Sequence, residues 1–353
     1  MKRFLIIGFG VILFCGGCRS IGPPTVSLDR VDYISAISES WKSQMLLNMI
    51  KIRYGDVPVF IDVSSIISQY GVENSISYDF AWQYSPTVRS PSVGGTTKYQ
   101  ERPTITYMPL TGEKFARSLL TPIPPAALFF LIQSGRPVDA VLYLCAQSVN
   151  GINNRYDSPM RSVPISPDFV ELLTRMRRIQ QSGMIGMRIQ TDENKQTTLF
   201  YFRKDVSPEI AEDSAWVRQK LGLNLETYEF KLVYGSMPQH ENEIAILSRS
   251  MMEILIQMIS SIDVPESDIQ QKRTYAIAKT EDPFAEQMQI RIRSGKEKPA
   301  DTFVSISYKD KWFWVDDTDF KSKQIFSGLM MLLSLLESDK GAAQPVLTVS
   351  TSG

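Results

Sequence analysis

The chain has 353 residues, enough for one large or two ordinary domains with an ample core. Its 38 basic residues equal its 38 acidic ones, which excludes the basic excess of a nucleic-acid binder and any strong pull toward anionic lipid. One histidine and three cysteines exclude a histidine-rich metal centre and a disulfide framework, so stability must come from an ordinary hydrophobic core.

Lys2 and Arg3 form a basic segment ahead of the apolar run Phe4 to Phe14. Its 11 residues fall short of the roughly 20 that cross a membrane, and they fit the apolar core of a secretory signal followed by small residues. Cys15-Gly16-Gly17-Cys18 comes next. A redox pair needs a folded scaffold that lowers one thiol's pKa, and a zinc site needs more ligands than Cys145 and His240, the only ones beyond this point. The pair therefore belongs to a targeting segment.

The apolar run ending in Cys15-Gly16-Gly17-Cys18 resembles the lipobox of bacterial lipoproteins. That resemblance implies residues 1–17 as the signal peptide, cut by signal peptidase II between Gly17 and Cys18. Cys18 would carry a thioether-linked diacylglycerol and an N-acyl chain. Gly16 and Gly17 match the small residues preferred there, while Cys15 stands where the family usually has Leu. Arg19, in place of the Asp that favours retention in the inner membrane, implies the outer membrane of a Gram-negative bacterium. The body would face the periplasm, with exposure at the cell surface left open. Membrane lipid, reached through two or three acyl chains, is thus the first implied partner.

Residues 18–30 read as a short lipidated tether, and 31–155 as an N-terminal α+β domain. Ile34, Ile37, Trp41, Met45, Met49 and Ile52 recur at helical spacing, which predicts an amphipathic helix over 32–54 with Gly55 as its stop. Val57 to Ser68 and Ser75 to Tyr84 read as strands with a turn at Gly71 to Asn74. Ser85 to Pro103, rich in Ser, Thr, Gly and Pro, reads as a long loop, functional or mobile. A strand over Thr104 to Leu110, a helix capped by Thr111, a helix opened by Pro124 and a short helix over Val138 to Ser148 follow.

Asn154 to Pro167 is the expected boundary, with 165–350 as a C-terminal α+β domain and a further break within 263–286. The expected elements are a helix over Pro167 to Gln181, a hairpin of Met184–Gln190 with Thr197–Phe202, a helix opened by Pro208 and ending before Gly222, and a strand over Tyr228 to Tyr234. Ile244, Leu247, Met251, Leu255, Met258 and Ile262 predict one long buried helix. Three short strands at 289–293, 302–308 and 311–315, a helix over Phe320 to Leu336 and a strand at 346–349 close the chain. Antiparallel hairpins interspersed with helices predict an α+β fold of one large or two domains.

Catalytic groupings are thin, and no cofactor is expected. His240 lies in a polar turn with no nucleophile elbow nearby, and Gly94-Gly95 lacks the Lys-Ser/Thr ending of a phosphate loop. Cys145 reads as a buried core residue. Asp316, Asp317 and Asp319 are the weak candidates for a divalent cation, against the plainer reading of a helix start capped by Asp317 or Thr318. Trp82, Tyr84, Tyr99 and Tyr107 could line a sugar or peptide groove, but aromatic residues on strands are usually core. Trp41 to Leu47 with Arg53-Tyr54-Gly55-Asp56, and Pro103 to Leu110, resemble segments of predicted bacterial lipoproteins without assigned function. The expected role is a non-enzymatic partner of an envelope protein or an envelope-assembly factor. The alternative is a carbohydrate- or peptidoglycan-binding or hydrolytic envelope protein.

Overall fold

The computed structural model describes residues 22–67, 70–79, 92–101, 104–158, 161–192, 195–204, 207–276, 282–285 and 287–337. Gly17, Cys18, Arg19, Trp82, Tyr84 and the expected strand at 346–349 lie outside the described residues. The chain is α+β and divides into two units, Met1–Trp41 with Phe60–Leu110, and Lys42–Val59 with Thr111–Gly353.

Helix α1, Gly22–Arg53, runs through both stretches of sequence. It begins inside the segment expected as a tether, because Pro23 and Pro24 fall in its first turn, where a missing N–H costs nothing. Gly55, at φ 74°, ends it in the left-handed conformation that glycine adopts without strain.

Among the described residues, the remainder of the first unit is four strands: β1 (Ile61–Ile67), β2 (Tyr70–Asp79), β3 (Ser92–Glu101) and β4 (Thr104–Pro109). β1 pairs antiparallel with β4, with a bulge between Val63 and Ser65, and β2 pairs antiparallel with β3. Gly71 to Asn74, expected as a turn, lies inside β2, and Ser92 to Glu101, expected as loop, is β3. Ten consecutive cross-strand pairs hold these residues extended, so pairing overrides the weak strand propensity of the glycines.

The larger unit is built on a six-stranded sheet. Its elements in chain order begin with α2 (Gly112–Phe115), which runs on as a π-helical turn over Ala116–Leu120. Then come α3 (Pro125–Gln133), α4 (Val138–Cys145), β5 (Ala146–Val149) and β6 (Ile152–Asn153). A small ribbon of β7 (Tyr156–Ser158) and β8 (Arg161–Val163) leads to α5 (Pro167–Gln181), β9 (Ile185–Asp192), β10 (Lys195–Phe202) and α6 (Pro208–Lys220). β11 (Glu229–Tyr234) and β12 (Glu243–Ser248) complete the sheet in the order β6-β5-β12-β11-β10-β9. All neighbours are antiparallel except β11 and β12, which are parallel, so the sheet is mixed.

β12 overturns the long helix expected from Ile244 to Ile262. Ile244-Ala245-Ile246-Leu247 is a continuous apolar run, and a strand buried on both faces reads that way as readily as a helix does. The helix proper, α7 (Met251–Met258), starts at a capping box. The Ser250 hydroxyl accepts from the Glu253 backbone N–H, and the Glu253 carboxylate accepts from that of Ser250. The expected boundary at 154–167 is enclosed as well, since β5 from before it pairs with β12 from after it, and Asn154 is buried.

Edge-to-face aromatic contacts run through the core: Phe129 on Phe200 at 4.9 Å, Phe200 on Phe202 at 5.0 Å, and Phe202 on Phe230 at 6.1 Å. A second sheet of the larger unit has the order β13-β15-β14, with β13 (Arg293–Gly295), β14 (Thr302–Tyr308) and β15 (Lys311–Asp316), and α9 (Phe320–Glu337) follows. Between the two sheets in sequence, the expected break at 263–286 contains the short α8 (Glu266–Gln270). Asp268 at its centre is buried and accepts from the Tyr54 hydroxyl at 2.6 Å and from Lys311.

The α5–α6 contact carries one concentrated ion pair. Asp213 on α6 is buried and accepts from Arg178 Nε at 2.7 Å, Arg178 Nη2 at 2.6 Å and Arg175 Nη1 at 2.8 Å. The hydrogen bond from Arg178 holds its carboxyl below the ordinary range, against the upward push of burial. A depressed carboxylate contributes stability above its unfolded pKa and loses it as pH falls through the folded value. Asp213→Asn is therefore expected to cost about 2 kcal/mol at neutral pH, and the gap from wild type should close as denaturation is followed into acid. Urea melts at a series of pH values measure both; a gap constant with pH would show that the charge is not what stabilises.

Candidate functional site

The residues singled out by chemistry are dispersed by the fold. Cys145 is buried at the end of α4, and burial pushes its thiol up to about 12, only partly opposed by the nearby Arg249 charge. His240 sits exposed in the turn before β12, where its carbonyl accepts from the Glu243 N–H. Tyr107 is exposed on β4, and Gly94-Gly95 lies within β3.

The acidic run after β15 forms a helix start. Asp316 accepts from the Thr318 hydroxyl at 2.6 Å and the Thr318 N–H at 3.0 Å, bonds that hold its carboxyl below the usual range. Asp317 takes Lys323 at 2.7 Å. Asp319, rather than Asp317 or Thr318, caps α9: its carboxylate accepts from the Ser322 N–H at 3.0 Å and hydroxyl at 2.8 Å. Burial would raise the Asp319 carboxyl, but those two bonds outweigh it and the net shift is downward. Among the described residues no group of three His, Cys, Asp or Glu side chains converges to hold a metal ion.

A buried polar cluster that sequence reasoning missed lies where α4, β6 and α7 meet. Arg249, between β12 and α7, donates to the carbonyls of Tyr143 at 2.8 Å, Leu144 at 3.0 Å and Arg155. Beside it, Asp282 accepts from the Tyr143 hydroxyl at 2.7 Å and lies 3.6 Å from Arg155. The adjoining small cavity is lined by Asn154, Arg155, Gln257 and Ser260 among others, and no lining residue is a carboxylate. The bonds of Arg249 to three backbone carbonyls make this cluster a structural clamp. The sequence signal was faint: Ser248-Arg249-Ser250 interrupts an otherwise apolar run.

Exposed apolar residues stand on two elements of the first unit, α1 and the β1–β4 pair. Val31, Ile34 and Trp41 of α1 are 62%, 57% and 39% exposed, at the spacing that puts them on one helix face. In the stretch belonging to the larger unit the same periodic pattern continues through Met45, Leu46, Met49 and Ile50, all buried. Ile105, Tyr107 and Met108 of β4 and Ile61 of β1 are likewise exposed. Every described residue of β4 is exposed, so the strand is covered on neither side. Large uncovered apolar patches on soluble chains mark surfaces of interaction.

Comparison with protein-family models, with curated proteins and with solved structures finds no match to this chain.

The fate of Cys145 is the direct test of the dispersed-chemistry conclusion. With its thiol pushed from 9.0 to about 12, the thiolate fraction at pH 8 drops by about a thousandfold. Native protein at pH 8 should therefore resist a thiol reagent at Cys145, and urea-unfolded protein should react fully. Fast native labelling at Cys145, mapped by peptide mass, would indicate a reactive thiol instead.

Proposed function

We propose that the protein is a lipid-anchored outer-membrane lipoprotein facing the periplasm, which works without catalysis as an envelope partner or assembly factor. The observation that carries this reading is the exposed apolar stripe of α1 together with the exposed strand β4. An apolar surface of this kind is stabilised when a partner buries it, at roughly 25 cal/mol for each Å² removed from water. The leader supports the location: Lys2, Arg3, the apolar run and Cys18 form a lipidation signal. Arg19 supports the outer membrane over the inner one. Among the described residues no helix is long and apolar enough to cross a membrane, which is compatible with an acyl anchor. In the larger unit, the Arg249 guanidinium is bound to backbone carbonyls and the Asp319 carboxylate caps a helix, which supports structural roles for these two groups.

Two variants separate the halves of the proposal. Cys18→Ala is expected to move the protein from the membrane pellet to the soluble fraction and to abolish labelling by an acyl-chain probe. Ile34→Asp is expected to leave the anchor intact and to lower the yield of in-cell crosslinks to an envelope protein severalfold. A Cys18→Ala protein that stays in the pellet would sink the anchor, and undiminished crosslinks in Ile34→Asp would sink the stripe as the contact surface.

A further inference from the structure

The clamp leaves Arg249 with a donor it does not use and a charge it does not cancel. Only 2% of the residue is exposed. Backbone carbonyls occupy both terminal nitrogens of the guanidinium, Nη1 through Tyr143 and Leu144 and Nη2 through Arg155. Nε, equally buried, has no hydrogen-bond partner among the described residues. Carbonyls satisfy N–H groups, but as dipoles they carry no countercharge, and a buried cation that lacks one is costly.

The described carboxylates nearby are committed elsewhere. Asp282 accepts from the Tyr143 hydroxyl and lies 3.6 Å from Arg155, an ion pair of its own. Glu253 on α7 acts on Arg249 only through space. Its two oxygens are taken by the Ser250 N–H at 2.8 Å and the Gln147 amide at 2.9 Å. One positive charge is therefore left over at the junction of α4, β6 and α7.

We infer that the cavity beside this guanidinium is a binding site for one small monovalent anion, of which chloride is the simplest. Arg249 belongs to the cavity wall, with Arg155, Gln257, Ser260 and Gln289 around it. The two arginines set a positive potential there, and the two glutamines bring amide groups able to donate to an anion. Size narrows the class further. The cavity measures about 30 Å³, room for a monatomic ion or a water or two and too little for a polyatomic ligand. Water can satisfy a donor but brings no charge, and a cation would face two arginines. A single monovalent anion meets both demands together.

The site has a consequence for the fold. The carbonyls that hold Arg249 come from the last turn of α4 and from the residue that follows Asn154, so they exist as a set only in the folded chain. A ligand that binds the folded state alone stabilises it by mass action. The inference does not depend on the membrane anchor, and either can fail while the other stands.

The test uses the full-length protein in detergent, unfolded by urea at constant ionic strength with chloride exchanged for gluconate, which is too large for the cavity. A rise in chloride of about tenfold is expected to lower the unfolding constant severalfold, with bromide acting alike. Crystals soaked in bromide should show an anomalous peak between Arg155 and Arg249. Gln257→Glu puts a carboxylate on the cavity wall and is expected to abolish the halide effect, whereas Gln257→Met should keep most of it. Equal stabilisation by chloride and gluconate, or a soaked crystal with water and no bromide in the cavity, would overturn the site. Halide stabilisation undiminished in Gln257→Glu would mean an adventitious ion only, bound elsewhere, and would overturn it too.

Discussion

The arrangement of the larger unit depends on how one buried cation is neutralised. Among the described residues Arg249 has no carboxylate partner at bonding distance; its guanidinium is held by the carbonyls of Tyr143, Leu144 and Arg155. Two of those carbonyls belong to the last turn of α4, where the helix dipole is negative and the orphan acceptors need donors. The backbone of the same residue is used too, its N–H donating to Cys145 and its carbonyl accepting from Ile123. Burial lowers the Arg249 pKa to about 10, which still leaves it charged at neutral pH. A single residue thus fixes the entry to α3, the end of α4, the β5–β6 hairpin and the switch from β12 into α7. Removing it would strand several buried carbonyls together, and an unsatisfied buried group costs more than a lost bond.

That clamp also explains why the β12–α7 segment was hard to read. Its apolar residues satisfy a helical period from Ile244 to Ile262, and nothing in periodicity alone favours stopping at Ser248. The information lay in the interruption: Arg249 needs carbonyls from elsewhere, and Ser250 with Glu253 is a start signal that a continuing helix would waste. Helices α5 and α6 were legible because Ser-Pro starts and a following Gly are local signals, and Gly222 at φ 65° sits beyond the end of α6 as expected. The β9–β10 hairpin and the β13–β15–β14 set were legible from alternation. The division of the chain was not, because the Pro- and Ser-rich stretch after Asn154 looks like a linker, while the pairing of β5 with β12 is a long-range fact. The open surface was half legible: the stripe on α1 was visible, but which part of it is covered depends on tertiary packing.

The acidic run shows how local geometry consumes apparent chemistry. Asp316, Asp317 and Asp319 lie within four residues, yet each faces a different donor: Thr318 with Arg293, Lys323, and Ser322. A cation would have to compete with bonds that already order a turn and open α9. The same holds for Cys145, whose burial removes the reactivity its element would otherwise permit.

What distinguishes the two units is therefore where their apolar residues end up. The larger unit turns its aromatics inward, Phe129, Phe200, Phe202 and Phe230 forming a connected core. Among the described residues, the first unit comprises a helix segment and two-stranded ribbons, architectures that have no inside of their own. For such a unit, a second surface is a requirement of its stability, since extended pairs of strands cannot bury both faces and both edges alone.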